Sequence, residues 1–359
     1  MKETLVPIAK MRDSNIELFR IVLMLMIIAH HYVVNSGITD LFDYNNITGN
    51  MVFFQFFGWG GKTGINCFLL ITGFFMCKQE FTWRKLLKLV LEIKFYQFAI
   101  WAIFLFTGYQ RFSFYDLYLN TFSISLGLGR NFVSGYVVLF LLVPFLNTLI
   151  KSLNKKELLW LVVLLVIICS VIPTLVLASF YEYTVWYVAM YLIGSYLRIY
   201  PPQFIFRTRT LTWFWLSMLV LTMIFASIIF MDYAKRLGVE SSNWDYFVSD
   251  SNKVLALIGS VTFFLLFKRI NIGHVKLINN VAKTVFGVFM IHTQSDTMRQ
   301  WLWKDVFDCV GQYGSSTAWI NALIAINLVF VACAIIDYMR INLLEKPLFS
   351  IIDKKYLKK

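Results

Sequence analysis

Ten stretches of this 359-residue chain are apolar for long enough to cross a lipid bilayer, and nothing else in the sequence restricts its fold so severely. A crossing helix needs about 17–25 mostly apolar residues. The sequence offers 16–34, 59–77, 86–108, 134–150, 157–177, 183–200, 211–231, 253–268, 281–300 and 318–340. Hydrocarbon offers the backbone no hydrogen bonds, so such segments fold as helices. The expectation is an all-α, polytopic integral membrane protein with about ten transmembrane helices. Residues 51–58 (MVFFQFFG) are apolar but too short to span, and read as a re-entrant or interfacial piece. The chain then divides into a cytoplasmic N-terminal segment (1–15), a membrane domain (16–340) and a basic cytoplasmic tail (341–359).

Composition agrees. The chain is 59% hydrophobic and only 15% charged, where an ordinary soluble domain carries roughly 25% charge. That argues against a water-soluble globule, a disordered chain and a fibrous repeat. The net charge of +13 invites a nucleic-acid partner. The cations are dispersed over short loops between spans, however, so the lipid bilayer and not nucleic acid explains them. With the N-terminus inside, 23 of the 33 Lys and Arg residues fall in inner segments, 7 in outer segments and 3 (Arg20, Lys62, Lys94) within spans. This bias predicts a multi-pass protein of the cytoplasmic membrane with both termini in the cytoplasm. The first apolar run holds Arg20 and two histidines and lacks a small-residue cleavage site, so it reads as a retained helix. The five cysteines show neither a disulfide framework nor metal-ligand spacing, and no metal is expected.

Polar residues inside the spans are the functional hypotheses, because a charge at mid-membrane costs about 2.5–3.5 kcal/mol on insertion scales. The first span, IELFRIVLMLMIIAHHYVVN, is the richest. At about 100° per residue, Arg20 and His31 lie within about 20° of one face and about 16 Å apart along the axis. His30 lies about 80° to the other side of Arg20. The candidate pair is therefore Arg20 and His31, with Asn35 one turn further on, positioned to fix the His31 tautomer. The bland alternatives are an interfacial Arg20 paired with Glu17 and a His31 that bonds a neighbouring helix.

The second span opens GWGGKTG, where Gly58, Gly60, Gly61 and Gly64 surround Lys62 and Thr63. Glycines here expose amides to an anion or oxyanion, or simply let helices pack closely. The residues alone favour packing. Glu92 is expected to pair with Lys88 at i,i+4. In the ninth span His292, Asp296 and Arg299 recur at i, i+4 and i+7. They read as one helical face, either the wall of an acceptor cavity or a polar helix contact. His274, in an inner loop, receives no role.

Several enzyme signatures are missing: the GxSxG elbow, the HExxH zinc helix, the Walker loop and the GxGxxG turn. An enzyme built this way would use a histidine as base and draw on an activated donor. Three motifs then carry a resemblance: Arg20, ten residues, then His31; a glycine-spaced second helix, Gly61-Lys62-Thr63-Gly64, ending Thr72-Gly73-Phe74; and TVFGVFMIH ending at His292. Weaker echoes are GYVVLFLLVPFLN at 135–147 and WYVAMYLIGSYLR at 186–198. Together they make the chain resemble the membrane acyltransferase-3 family, and more narrowly its stand-alone capsule and exopolysaccharide O-acetyltransferases. Thr72 stands where the family has serine, Phe289 where tyrosine is common, and the hydrolase-like domain fused to some members is absent.

The resemblance implies acetyl-CoA as acyl donor and a saccharide hydroxyl as acceptor. It implies His31 and Arg20 as the catalytic pair, with Arg20 also on the donor beside Lys62, Gly61 and Gly64. Asn35, His292, Asp296 and Arg299 are then candidates for the acceptor cavity, and polysaccharide-assembly proteins are further partners. The rival readings are a transporter or flippase of a lipid-linked saccharide, which would often carry repeat symmetry, and a non-catalytic membrane partner of a polymer-assembly complex.

Overall fold

The computed structural model describes residues 13–121, 132–176, 183–239 and 243–356. The first twelve residues, Arg130, Lys358 and Lys359, which entered the charge count above, lie outside them. The described residues are mostly helical, with no strand among them.

The chain begins with α1 (Ser14–Val34), a short α2 (Gly49–Gly58), α3 (Gly61–Met76) and α4 (Trp83–Phe106). Then come α5 (Phe114–Thr121), α6 (Phe132–Ser152) and α7 (Lys155–Val166), which runs through a π turn into α8 (Ile172–Leu175). The start of α7 is set by Asn154 and Glu157, each of which caps the other's backbone. Next are α9 (Tyr183–Ile199), α10 (Gln203–Arg207), α11 (Thr210–Arg236) and α12 (Val254–Arg269). The last group is α13 (Lys276–Val281), α14 (Val285–Thr293), α15 (Asp296–Arg299), α16 (Cys309–Gln312), α17 (Ala318–Arg340) and α18 (Lys346–Tyr356).

Among the described residues, six helical stretches are long and apolar enough to cross a membrane: Ser14–Val34, Trp83–Phe106, Phe132–Ser152, Lys155–Leu175, Thr210–Arg236 and Ala318–Lys354. The other expected spans differ. Helices α3, α9 and α12 hold 16, 17 and 16 residues. The expected span 281–300 is broken. Ser295 is extended and caps α15 with its side chain, so α14 ends after nine residues. His292, Asp296 and Arg299 therefore do not share one helical face, because i,i+4 spacing holds only within a continuous helix.

Two apolar clusters form the interior. One gathers around α1, α4, α14 and α17, the other around α3, α6, α9 and α12. Helix α1 contributes to both, with Ile27 and Ile28 in the first and Phe19 and Leu23 in the second. It is the most enclosed of the six long stretches, 61% buried against 28% for α11. The outward faces stay apolar, as with Trp215, Leu219 and Phe230 on α11. That suits a solvent of lipid chains.

Helices α3 and α9 cross where both are reduced to glycine. A Cβ on Gly73 would fall on the Tyr191 carbonyl, and one on Gly194 would meet the Leu70 carbonyl. The small residues here are packing devices. Gly73→Ala should therefore lower stability by about 3 kcal/mol, seen as a lower midpoint of thermal unfolding in detergent. Gly49→Ala, with nothing within 4 Å of its added methyl, should leave the midpoint near the parent value.

Candidate active site

Helix α1 delivers Arg20 and His31 to two different cavities. Arg20 lines one of about 510 Å³, with Thr72, Tyr136, Lys283 and Arg340 also in its wall. His31 lines another of about 230 Å³, with Asn35, Lys62, Tyr183, Thr293 and Arg299. Ile27, Phe132 and Phe289 belong to both walls, so the two spaces abut across three apolar side chains.

The Arg20 cavity is basic. Its wall contains Arg20, Lys85, Lys88, Lys283, Arg340 and Lys346 against two carboxylates, Glu92 and Glu345. Arg20 Nη1 lies 3.5 Å from Glu17 Oε2, the local pairing that the i,i+3 spacing allowed. Its Nε is buried with no hydrogen-bond partner among the described residues. The Thr72 hydroxyl donates to the Phe68 carbonyl at 2.8 Å and lies 3.4 Å from the Tyr136 hydroxyl.

Arg340 anchors one side of this cavity. Its guanidinium meets Glu92 at 2.9 Å, Asp337 at 2.7 Å and Glu345 at 2.9 Å. Tyr96 donates to Asp337 at 2.7 Å. Glu92 thus pairs across to α17, correcting the expected Glu92–Lys88 pair. Lys88 reaches Glu345 instead, at 2.6 Å, on the π turn that follows α17. Asp337 occupies the space left by Gly287 in the VFG motif, where a Cβ would collide with the carboxylate.

The histidine cavity is built from α1, the start of α3, and α14. His30 is buried and its Nδ1–H donates to the Gly58 carbonyl at 2.6 Å. Gly61 lies against that ring, leaving no room for a Cβ, and also lines the cavity. Gly64 packs on Ile27, and its amide donates within the helix to Gly60 at 2.9 Å. The Gly64 amide is therefore engaged, and the residue lies outside both walls. Lys62 Nζ lies 3.6 Å from Asp250 Oδ1 and donates to the Tyr183 hydroxyl at 3.5 Å. Burial pushes the nearby loop carboxyl of Asp245 up to about 6, against the pull of its own backbone amide and of Lys62.

His31 Nδ1 lies 3.0 Å from His292 Nε2, and His292 Nδ1–H donates to the Val288 carbonyl at 2.6 Å. His292 is fully buried and lines neither cavity. Asn35 was expected to bond the His31 ring. It closes α1 instead, its backbone N–H donating to the His31 carbonyl at 3.0 Å, while its side chain lines the cavity. Arg299 reaches the same cavity from beyond the helix break and pairs with Asp296 at 2.8 Å. The Asp296 side chain is 97% exposed and lies outside the wall. His274 lies 3.1 Å from the Asn279 amide, away from both cavities.

Sequence reasoning missed Tyr183, Phe132 and the multiple pairing of Arg340. Tyr183 and Phe132 are aromatic residues in an aromatic-rich chain, and no motif singles them out. Arg340 read as one more cation at the end of a span.

A bundle of long apolar helices around a divided polar interior defines a polytopic membrane protein. The family model of the acyltransferase domain (Acyl_transf_3) matches residues 13–338. The chain belongs to that acyltransferase-3 family and is a membrane acyltransferase. No curated protein and no solved structure matches it.

Arg340→Leu should leave Glu92, Asp337 and Glu345 without their common cation. Removing one partner from a buried ion network costs about 3–5 kcal/mol. The midpoint of thermal unfolding in detergent should fall accordingly.

Proposed function

We propose that this protein moves an acetyl group from cytoplasmic acetyl-CoA to a hydroxyl of a cell-surface or lipid-linked saccharide. The observation that carries the reading is the meeting of two cavities across Ile27, Phe132 and Phe289, with Arg20 in the wall of one and His31 in the wall of the other. A cavity rich in Arg and Lys suits the phosphates of a nucleotide-bearing thioester, which charge-assisted hydrogen bonds hold well. The axial rise from Arg20 to His31, about 16 Å, suits a thin pantetheine arm passing between the three apolar side chains. The modest volume around His31, about 230 Å³, favours a short acyl group.

In this reading α3, α9, α12 and the broken 281–300 segment complete ten crossings. Both termini face the cytoplasm of a cell membrane, in keeping with the loop cations. The Arg20 cavity then opens inward and the histidine cavity outward. His31 takes the proton of the acceptor hydroxyl as its oxygen attacks the thioester carbonyl. Lys62 stabilises the oxyanion that forms. The C–S bond breaks, and His31 returns the proton to the departing sulfur. Asn35, Thr293, Tyr183 and Arg299 supply hydrogen bonds to the acceptor, and capsule or exopolysaccharide chains are the preferred source of it.

The test is acetyl transfer from labelled acetyl-CoA by the purified protein in liposomes, with cell-surface glycan as acceptor. His31→Ala should reduce kcat/KM by about 10²–10⁴-fold. Arg20→Gln should raise KM for acetyl-CoA about tenfold, the worth of one charged hydrogen bond. Undiminished transfer by His31→Ala would remove its assigned role, and a protein that moves saccharide without transferring acetyl would be a transporter. Deleting the gene should also remove an acetyl ester from the surface glycan.

A further inference from the structure

We infer that His292 is a positioning residue that holds the His31 ring in one tautomer and presents a bare Nε2 to the cavity. The inference rests on the reading of His31 as base and adds to it a second histidine that touches no substrate.

Val288 O can only accept, so the nitrogen 2.6 Å from it, His292 Nδ1, carries the proton. In a neutral imidazole one nitrogen donates and the other accepts, so His292 Nε2 is an acceptor. Its neighbour at 3.0 Å, His31 Nδ1, must then be the donor. The proton of neutral His31 is thereby fixed on Nδ1, and Nε2 keeps its lone pair. The His31 ring lines the cavity while its Nδ1 is engaged, so the free nitrogen is the one available to an acceptor hydroxyl. A charge on His292 would need an acid beside it, but the ring is fully buried and its two nitrogens meet His31 and the Val288 carbonyl. Among the described residues no acid is paired with either nitrogen to stabilise a second proton.

The backbone makes the arrangement rigid. Val288 and His292 are one turn apart on α14, so the acceptor carbonyl is fixed by the same helix that carries the ring. The rest of that ring is enclosed: Phe289 stands edge-on to it at 5.9 Å between centroids and closes on His31 at 6.2 Å. His30 lines the same cavity, with its own Nδ1–H held by the Gly58 carbonyl.

The experiment pairs kinetics with a spectroscopic readout, on full-length protein in membranes. In ¹⁵N-histidine-labelled protein, His31 should show a protonated Nδ1 and a bare Nε2, assigned by comparison with His31→Ala. In His292→Leu this signature should relax to a mixture of tautomers. The same variant should lose kcat by about 100-fold, as loss of a supporting partner commonly does, with both KM values within about threefold of the parent. His292→Gln, whose side-chain oxygen can accept from Nδ1–H, should keep the parent tautomer and recover about tenfold of that loss; His292→Phe, which also lacks an acceptor, serves in place of His292→Leu if the latter does not fold. An unchanged tautomer or full kcat in whichever of the acceptor-less variants, His292→Leu or His292→Phe, folds would overturn the inference. If the tautomer shifts while His31→Ala still transfers acetyl, positioning stands and the base assignment falls.

Discussion

A polar side chain inside a membrane has to find its partners within the protein, because the surrounding hydrocarbon offers none. That demand explains how α1 is used. It is the most enclosed of the long helices and joins the two apolar clusters of the interior. A helix facing lipid could not carry Arg20, His30 and His31 at bearable cost. A helix surrounded by protein can, and each of these residues has a neighbour that makes its burial tolerable: Glu17 for Arg20, the Gly58 carbonyl for His30 and His292 for His31.

The same demand organises the boundary between the two cavities. The polar groups collect on either side of Ile27, Phe132 and Phe289, and these three side chains lie between two spaces of different composition. One is strongly cationic. The other mixes histidine, hydroxyl, amide and cation. The transfer proposed above, from a phosphate-bearing thioester to an alcohol, would draw on both environments and on water being kept from the thioester between them.

Much of this was legible along the chain, because helical periodicity is a local property. Arg20 and His31 share a face by arithmetic, and the helix-forming apolar runs announce themselves by length. Features that depend on distant residues were not legible. His31 and His292 are 261 positions apart, and a spacing rule offered Asn35 as the ring's partner. Glu92 had a plausible partner at i,i+4, and only the fold brings Arg340 from α17 into competition for it. The break at Ser295 was missed for a different reason. Serine in a polar run, QSDT, is both a helix-surface residue and a strong N-cap, and the sequence does not say which. The glycines around Lys62 carried two readings; packing against Met26, His30 and Ile27 accounts for Gly60, Gly61 and Gly64.

The contact between Gly287 and Asp337 has a consequence for how relatives of this chain can differ. The two positions are fifty residues apart, yet the carboxylate occupies the volume that any side chain at 287 would need. Asp337 in turn is bound to Tyr96 and Arg340. Evolution cannot enlarge residue 287 alone without evicting an acid from an ion network, so across homologues these sites should drift as a linked pair, a bulkier 287 appearing only where 337 has become small and uncharged.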